Sequence, residues 1–273
     1  MFRGTLIRSG NNAKTVKGDG EYETAIMYLA PFTLAGFNVC AMASTAGCVA
    51  GCLNTAGRGR MNNVQIARIN KTKRYINDRA AFMAELVADL EGFVAYCKRK
   101  GVKPAVRLNG TSDIQWEVAH PVFREITKVH PQQESPVRFA SVFHAFPEVQ
   151  FYDYTKVYKR VYRELPSNYS LVLSYSEANR AYADAVITAA LDTGANVAVV
   201  YRDKATRDAL ASPALEGRGG VIQNTLHGTC ESLSREVFNG DETDLRFLDP
   251  KGVIVGLYAK GAAKGDRSGF VLG

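Results

Sequence analysis

From Asp78 onward the chain alternates between helical patterns and short apolar runs, and this alternation restricts the fold more than any other feature. "NDRAAFMAELVADLEGFVAYCKRKG" predicts a long helix. Asn77 or Asp78 caps it, Phe82, Leu86, Leu90, Phe93 and Val94 recur at helical spacing, and Lys98 to Gly101 end it. "PAVRLNG" and "EVQFYDYTK" read as strands, the second followed by a helical stretch from Val157 to Leu165. "YSLVLSYS" leads into the helix "EANRAYADAVITAALDTG", "ANVAVVYRD" leads into "KATRDALAS", and "KGVIVGLYAKG" makes one more strand. The opening "MFRGTLIRSG" also reads as a strand. Strands that are apolar almost throughout are buried on both faces, and a strand-then-helix rhythm builds a parallel sheet with crossover helices. No linker rich in Pro, Gly or Ser divides the chain, so residues 1–273 are expected to form a single α/β domain. The expected architecture is a full or partial parallel (β/α) barrel of the TIM-barrel type with a cysteine-rich loop near its start. An open doubly wound parallel sheet is the alternative, although no Gly-rich dinucleotide fingerprint accompanies it.

Both architectures gather chemistry at the carboxyl ends of the strands. The polar residues expected there are Asn109, Thr111, Ser112 and Asp113 after the first strand of the alternation, and Asp153, Thr155 and Lys156 after the second. Ser174, Ser176, Glu177 and Asn179 follow the third, with Arg202 and Asp203 after the fourth. Ser176 and Asp203 stand where helix N-caps belong. "NGTSD" at 109–113 offers more hydrogen-bonding side chains around its glycine than a turn requires.

Three of the five cysteines, Cys40, Cys48 and Cys52, fall within "CAMASTAGCVAGC". The odd cysteine count and the lack of a leader sequence suggest a reducing, cytoplasmic setting, where clustered thiols serve metals or catalysis rather than disulfides. No charged residue occurs from Thr24 to Gly57, but Pro31, Asn38, Thr45 and the small residues make this stretch a poor membrane span, and a dry loop is expected instead. Structural zinc needs four ligands, and the nearest histidine, His120, is far downstream. Three unrelated buried thiols are another reading. An iron–sulfur cluster accounts for more: thiolates are its normal ligands, Gly47 and Gly51 let backbone amides approach the sulfurs, and three ligands for four irons leave one iron open.

The three-cysteine loop ahead of a β/α array is distantly similar to the radical S-adenosylmethionine enzymes. The chain as a whole resembles the bacteriophage gene product 88 family through "CAMASTAGCVAGCLNTAGRGR", "RINKTKRYINDRAAFMAEL", "VRLNGTSDIQWE" and "DLRFLDPKGVIVGLYAKG". The resemblance to the radical enzymes implies a [4Fe-4S] cluster on Cys40, Cys48 and Cys52, with S-adenosylmethionine on the open iron and a reductant to start the chemistry. It makes Asn109, Gly110, Ser112 and Asp113 candidates for the methionine amino group, where those enzymes carry Gly-Gly-Glu. Ser174 and Ser176 become candidates for the ribose or carboxylate. Seven and then three residues separate the cysteines here, against three and then two in those enzymes.

The formal net charge of +7 favours an anionic partner. Arg58, Arg60, Arg68, Lys71, Lys73 and Arg74 follow the cysteine loop with no acid among them, and read either as a solvated helix face or as a phosphate-facing rim. The leading expectation is thus a cluster- and S-adenosylmethionine-dependent enzyme acting on an anionic substrate, such as a nucleic acid or nucleotide. A nucleic-acid-binding protein with a structural metal is the rival. A metal-free enzyme using Asp113 and Asp153 as paired carboxylates is the third reading.

Overall fold

The computed structural model describes residues 1–10, 19–125, 136–206, 211–213 and 222–273. Its centre is a mixed, mostly parallel sheet. In chain order the strands are β1 (Ile7–Ser9), β2 (Tyr22–Met27), β3 (Lys103–Arg107), β4 (Val122–Arg124), β5 (Val137–Phe139), β6 (Gln150–Thr155) and β7 (Tyr169–Ser174). They continue with β8 (Val197–Tyr201), β9 (Ala211–Pro213), β10 (Ile222–His227), β11 (Ser232–Asn239), β12 (Ile254–Tyr258) and β13 (Val271–Leu272). The main sheet runs β1-β2-β3-β6-β7-β8-β12-β11-β10-β9, while β4 and β5 pair separately. From β2 to β11 every neighbouring pair is parallel, whereas β1, β10 and β9 add antiparallel margins.

The helices are α1 (Asn62–Asn77), α2 (Arg79–Lys100), the single turn α3 (Val142–Ala145) and α4 (Arg180–Thr193). Asp78 caps α2 by accepting the Ala81 N–H, and Gly101 ends it at φ 68°, a left-handed turn that spares a side chain its steric cost. Strand register puts Ala25, Val106, Phe151 and Tyr169 in one row, and Leu173, Val197 and Ile254 in another. Both rows pack under helices, the first beneath Phe82, Leu86, Leu90 and Phe93 of α2 and the second beneath Tyr182, Val186 and Ile187 of α4. Burial of such rows at roughly 25 cal/mol per Å² of apolar surface is what holds these helices to the sheet. On the opposite face Ala105 and Tyr152 meet Leu245 from the β11–β12 connection. The winding explains the two coverings. Steps from β2 to β8 all advance in one direction, and the return from β11 to β12 reverses it, so right-handed crossovers place its connection on the other face.

β1 and β9 are the ends of the sheet, and among the described residues no pairing joins them, so the sheet is open there and no closed barrel is seen. The stretch 157–165 makes only a 3-10 turn at Tyr158–Tyr162. The helix read at "KATRDALAS" is seen at 204–206, 207–210 lie outside the described residues, and Ala211 and Ser212 belong to the strand β9 instead. No helix is long and apolar enough to cross a membrane among those described, and Thr24 to Gly57 forms β2 and a series of turns.

Candidate functional site

β2 and β3 place two loops against each other at the carboxyl edge of the sheet. The Tyr28–Cys52 segment leaves β2, and "NGTSD" leaves β3 beside it. The Gly110 N–H donates to the Met27 carbonyl at 3.0 Å, the Thr111 hydroxyl to the Leu29 carbonyl at 2.6 Å, and the Asp113 N–H to the Val39 carbonyl at 2.8 Å. Gly110 cannot be larger: a Cβ there would lie 2.6 Å from both the Met27 oxygen and the Tyr28 ring.

Asn109, 2% exposed, organises the loop from inside. Its Oδ1 accepts from the Ser112 hydroxyl (2.9 Å), the Ile114 N–H (3.0 Å) and the Trp116 indole (3.1 Å), while its own N–H donates to Asp153 Oδ1 at 2.7 Å. Asp153 Oδ2 also accepts from the Tyr169 hydroxyl at 3.1 Å. Asp113 accepts from the Thr155 hydroxyl, the Lys156 N–H and Arg160 Nη1 at 2.9, 2.7 and 3.0 Å. Arg160, fully buried, spans this group. It donates to both carboxylate oxygens of Glu117 (2.9 and 2.8 Å) and to the Tyr169 hydroxyl (2.8 Å). Sequence reading missed Arg160, Glu117 and Tyr169, because they lie on three separate segments and carry no local motif.

The two carboxylates proposed as a catalytic pair therefore lie on the same side of the sheet, but in different settings. Asp113 is ion-paired. Burial pushes the Asp153 carboxyl up to about 7, against the pull of Arg107, the Asn109 N–H, Arg160 and the Tyr169 hydroxyl. Such a group keeps its proton in the folded state after losing it in the unfolded chain. It therefore stabilises the fold below the unfolded value near 3.8, and that contribution fades as pH rises to about 7. Asp153→Asn is expected to remove this slope, so that over the same window it gains stability relative to the parent by up to roughly 4 kcal/mol. Urea unfolding across that pH range reads it; parallel curves for parent and variant would refute it.

The thiols line the other side of the junction. Cys40 Sγ accepts the Phe32 N–H at 3.3 Å and lies 3.8 Å from the Thr111 carbonyl. Phe32 holds φ 48°, an uncommon conformation for a non-glycine residue and one that clusters at functional sites. Cys52 Sγ accepts the Asn54 N–H at 3.5 Å, and Cys48 packs with Ala259, Ala263, Phe270 and Val271. Burial pushes the Cys40 thiol up to about 12, with Asp113, Cys52 and Cys48 adding to the effect. Burial also raises Cys52, with Cys48 adding to the rise, while Lys156 and Arg68 draw it back. The three thiols thus lie within one another's electrostatic reach. Cys97 is buried on α2 itself, in its last turn, and Cys230 is exposed in the β10–β11 turn. His120 belongs to the core, 2.7 Å from the Tyr75 hydroxyl.

Two cations complete the junction. Lys156 Nζ donates to the Ser174 hydroxyl at 2.8 Å and stands 5.2 Å from the centre of the Phe270 ring. Ser176 does not cap α4, a role taken by Asn179; its hydroxyl donates to the Gly269 carbonyl at 3.3 Å. Arg68, 9% exposed, stacks 4.8 Å from the Tyr28 ring centre, donates to Asn54, and leaves its Nε without a hydrogen bond. The basic run is therefore split. Arg68 turns inward, Lys71 donates to the Leu6 carbonyl at 2.8 Å, and Arg74 pairs with Glu85. Arg58, Arg60 and Lys73 are exposed.

No group of three or more His, Cys, Asp or Glu side chains among the described residues is arranged to hold a metal ion. A tetrahedral zinc would need its sulfurs about 3.8 Å apart, and the thiols do not form such a set. The polar groups nearest the sulfurs are the Phe32 N–H on Cys40 and the Asn54 N–H on Cys52, with Lys156 and Arg68 acting on Cys52.

No curated protein and no solved structure matches the chain. Residues 5–272, nearly its full length, match the family described as Gene product 88, and the protein therefore belongs to the gene product 88 family.

Proposed function

We propose that Cys40, Cys48 and Cys52 hold an iron–sulfur cluster, and that the protein is an S-adenosylmethionine-dependent enzyme acting on an anionic substrate. What supports this reading is that the cysteine segment and the "NGTSD" loop meet at the carboxyl edge of a parallel sheet, Cys40 lying 3.8 Å from the Thr111 carbonyl, with Lys156 and Arg68 acting on Cys52. The sequential winding from β2 to β8 suits a partial barrel, and the thiol loop and "NGTSD" follow its first two parallel strands. A cluster with three protein ligands would supply electron transfer and one open coordination position. This chain's own residues contribute the setting. The N–H groups of Phe32 and Asn54 stabilise charge on sulfur, and Lys156 and Arg68 offset the negative charge that three thiolates bring. The hydroxyls of Ser112 and Ser174 are engaged by Asn109 and Lys156, so an amino-acid-like ligand would share or displace those bonds.

Nucleic-acid binding through the basic run is the weaker reading, since Arg68 is buried, Lys71 is tied to the Leu6 carbonyl and Arg74 pairs with Glu85. Anaerobic reconstitution followed by iron and sulfide analysis tests the proposal. Alanine at Cys40, Cys48 or Cys52 should abolish iron binding and its visible absorption, and alanine at Cys97 or Cys230 should not. Equal iron in all five variants would sink the cluster. A reconstituted protein that shows no calorimetric binding of S-adenosylmethionine would sink the enzyme reading alone.

A further inference from the structure

β8 and β12 are parallel neighbours whose exits diverge. From Tyr201 the chain moves outward to β9, β10 and β11, whereas from Tyr258 it crosses back over the end of β8 to β13. In an open parallel sheet, diverging exits leave a crevice at the carboxyl ends of the two strands, and ligands favour that place. A pocket of about 460 Å³ opens there, lined by Arg202, Asp203, Lys204, Tyr258, Ala259 and Lys264. The volume falls in the range of small-molecule sites.

Its walls are fixed and its charge is one-sided. Arg202 donates to the carbonyls of Gly273, Lys264 and Asp266 at 2.9, 3.0 and 2.9 Å, so it ties the returning segment across the strand end. Asp203, the only acid among the described lining residues, is occupied by the Thr206 N–H at 2.8 Å, which holds its carboxyl below the usual range. Lys204 and Lys264 are exposed, and no hydrogen bond or ion pair joins their ammonium groups to other described residues. Both can turn toward a guest without breaking a contact to another described residue.

We infer that this crevice binds a small phosphorylated molecule, of sugar-phosphate or mononucleotide size, with Lys204 and Lys264 on the phosphate and Tyr258 and Ala259 against the remainder. The inference stands without the cluster, because no lining residue is a thiol and the binding roles fall on Lys204, Lys264 and Tyr258. Ala259 and Ala263 do pack on Cys48, so a guest here would lie one layer from the cysteine loop.

Calorimetric titration of the full chain, as purified and without iron, with inorganic phosphate, AMP and glucose 6-phosphate tests it, with adenosine and glucose as uncharged controls. At least one phosphate compound should bind, its uncharged counterpart should not, and the double variant Lys204→Ala/Lys264→Ala should weaken binding by about ten-fold or more. Lys204→Arg/Lys264→Arg should retain it. No binding of any phosphate compound overturns the inference. So does binding unchanged in the alanine variant, or binding lost instead on removing Arg58 and Arg60, which would mark a diffuse basic surface. Iron reconstitution is read separately, so failure of the cluster and failure of this pocket are distinguishable.

Discussion

Replacing Arg160 with alanine is expected to lower the free energy of unfolding by about 3–5 kcal/mol, the cost of leaving buried charges without their partner. The guanidinium is fully buried and joins Glu117, Asp113 and the Tyr169 hydroxyl. Without it Glu117, whose side chain is 6% exposed, keeps only the 3.3 Å contact from Arg163, and Tyr169 loses the donor that fixes it against Asp153. Lysine cannot reproduce the two parallel bonds to Glu117, so Arg160→Lys should recover only part of the loss. Arg160→Met combined with Glu117→Gln and Asp113→Asn should recover more, because it removes the stranded charge rather than the space. Urea unfolding at neutral pH measures all three. An Arg160→Ala loss below about 1 kcal/mol, the value of a surface pair, would show that the network is solvated.

Gly110→Ala is expected to cost about 1–3 kcal/mol through overpacking, and to displace the "NGTSD" loop from the cysteine segment. The added methyl would meet the Met27 carbonyl and the Tyr28 ring at 2.6 Å, and a backbone oxygen cannot swing aside as a side chain can. Tyr28 also carries Arg68 on its face, so the displacement should reach one of the two cations that act on Cys52. Gly265→Ala is the control, since nothing lies within 4 Å of its new Cβ. Thermal unfolding and thiol-reagent reactivity of Cys40 separate the two. If Gly110→Ala behaved like Gly265→Ala, the two loops would not be in the close contact described.

Much of the sheet was legible because its central strands are apolar enough to stand out alone. β3, β6, β7, β8 and β12 each fall on a run quoted from the sequence, and α2 begins and ends at the cap residues its pattern implies. α1 was not read as a definite element because its inward face is made of Arg68, Thr72 and Tyr75, which offer no apolar stripe. The open sheet could not be told from a closed barrel, since both share the same alternation and differ only in whether the end strands meet. Within the site, residues adjacent in sequence were found together, as in "NGTSD" and the cysteine loop. Groups joined only by the fold were not. Arg160 reaches Asp113 across 47 positions and Glu117 across 43, and no spacing rule links them.

β13 has a further consequence, for the order in which the molecule can be made. It pairs with β8 at Val200 and Tyr201, just past the point where β7 ceases to pair, and so lies in the gap between two older neighbours. The segment leading to it reaches back to the early chain: the Ser268 hydroxyl donates to the Gly47 carbonyl across 221 positions, and the Ala262 N–H to Thr55 across 207. A ribosome delivers the cysteine loop long before it delivers these anchors. Until then the loop has one wall, supplied by β2 and β3, and lacks the other. Closing contacts of such range is slow, because the entropy of the intervening chain must be lost before any contact rewards it. The thiols therefore spend the whole of synthesis more accessible than in the finished protein, and the nascent chain is the form in which they are most open to oxidants and to metal.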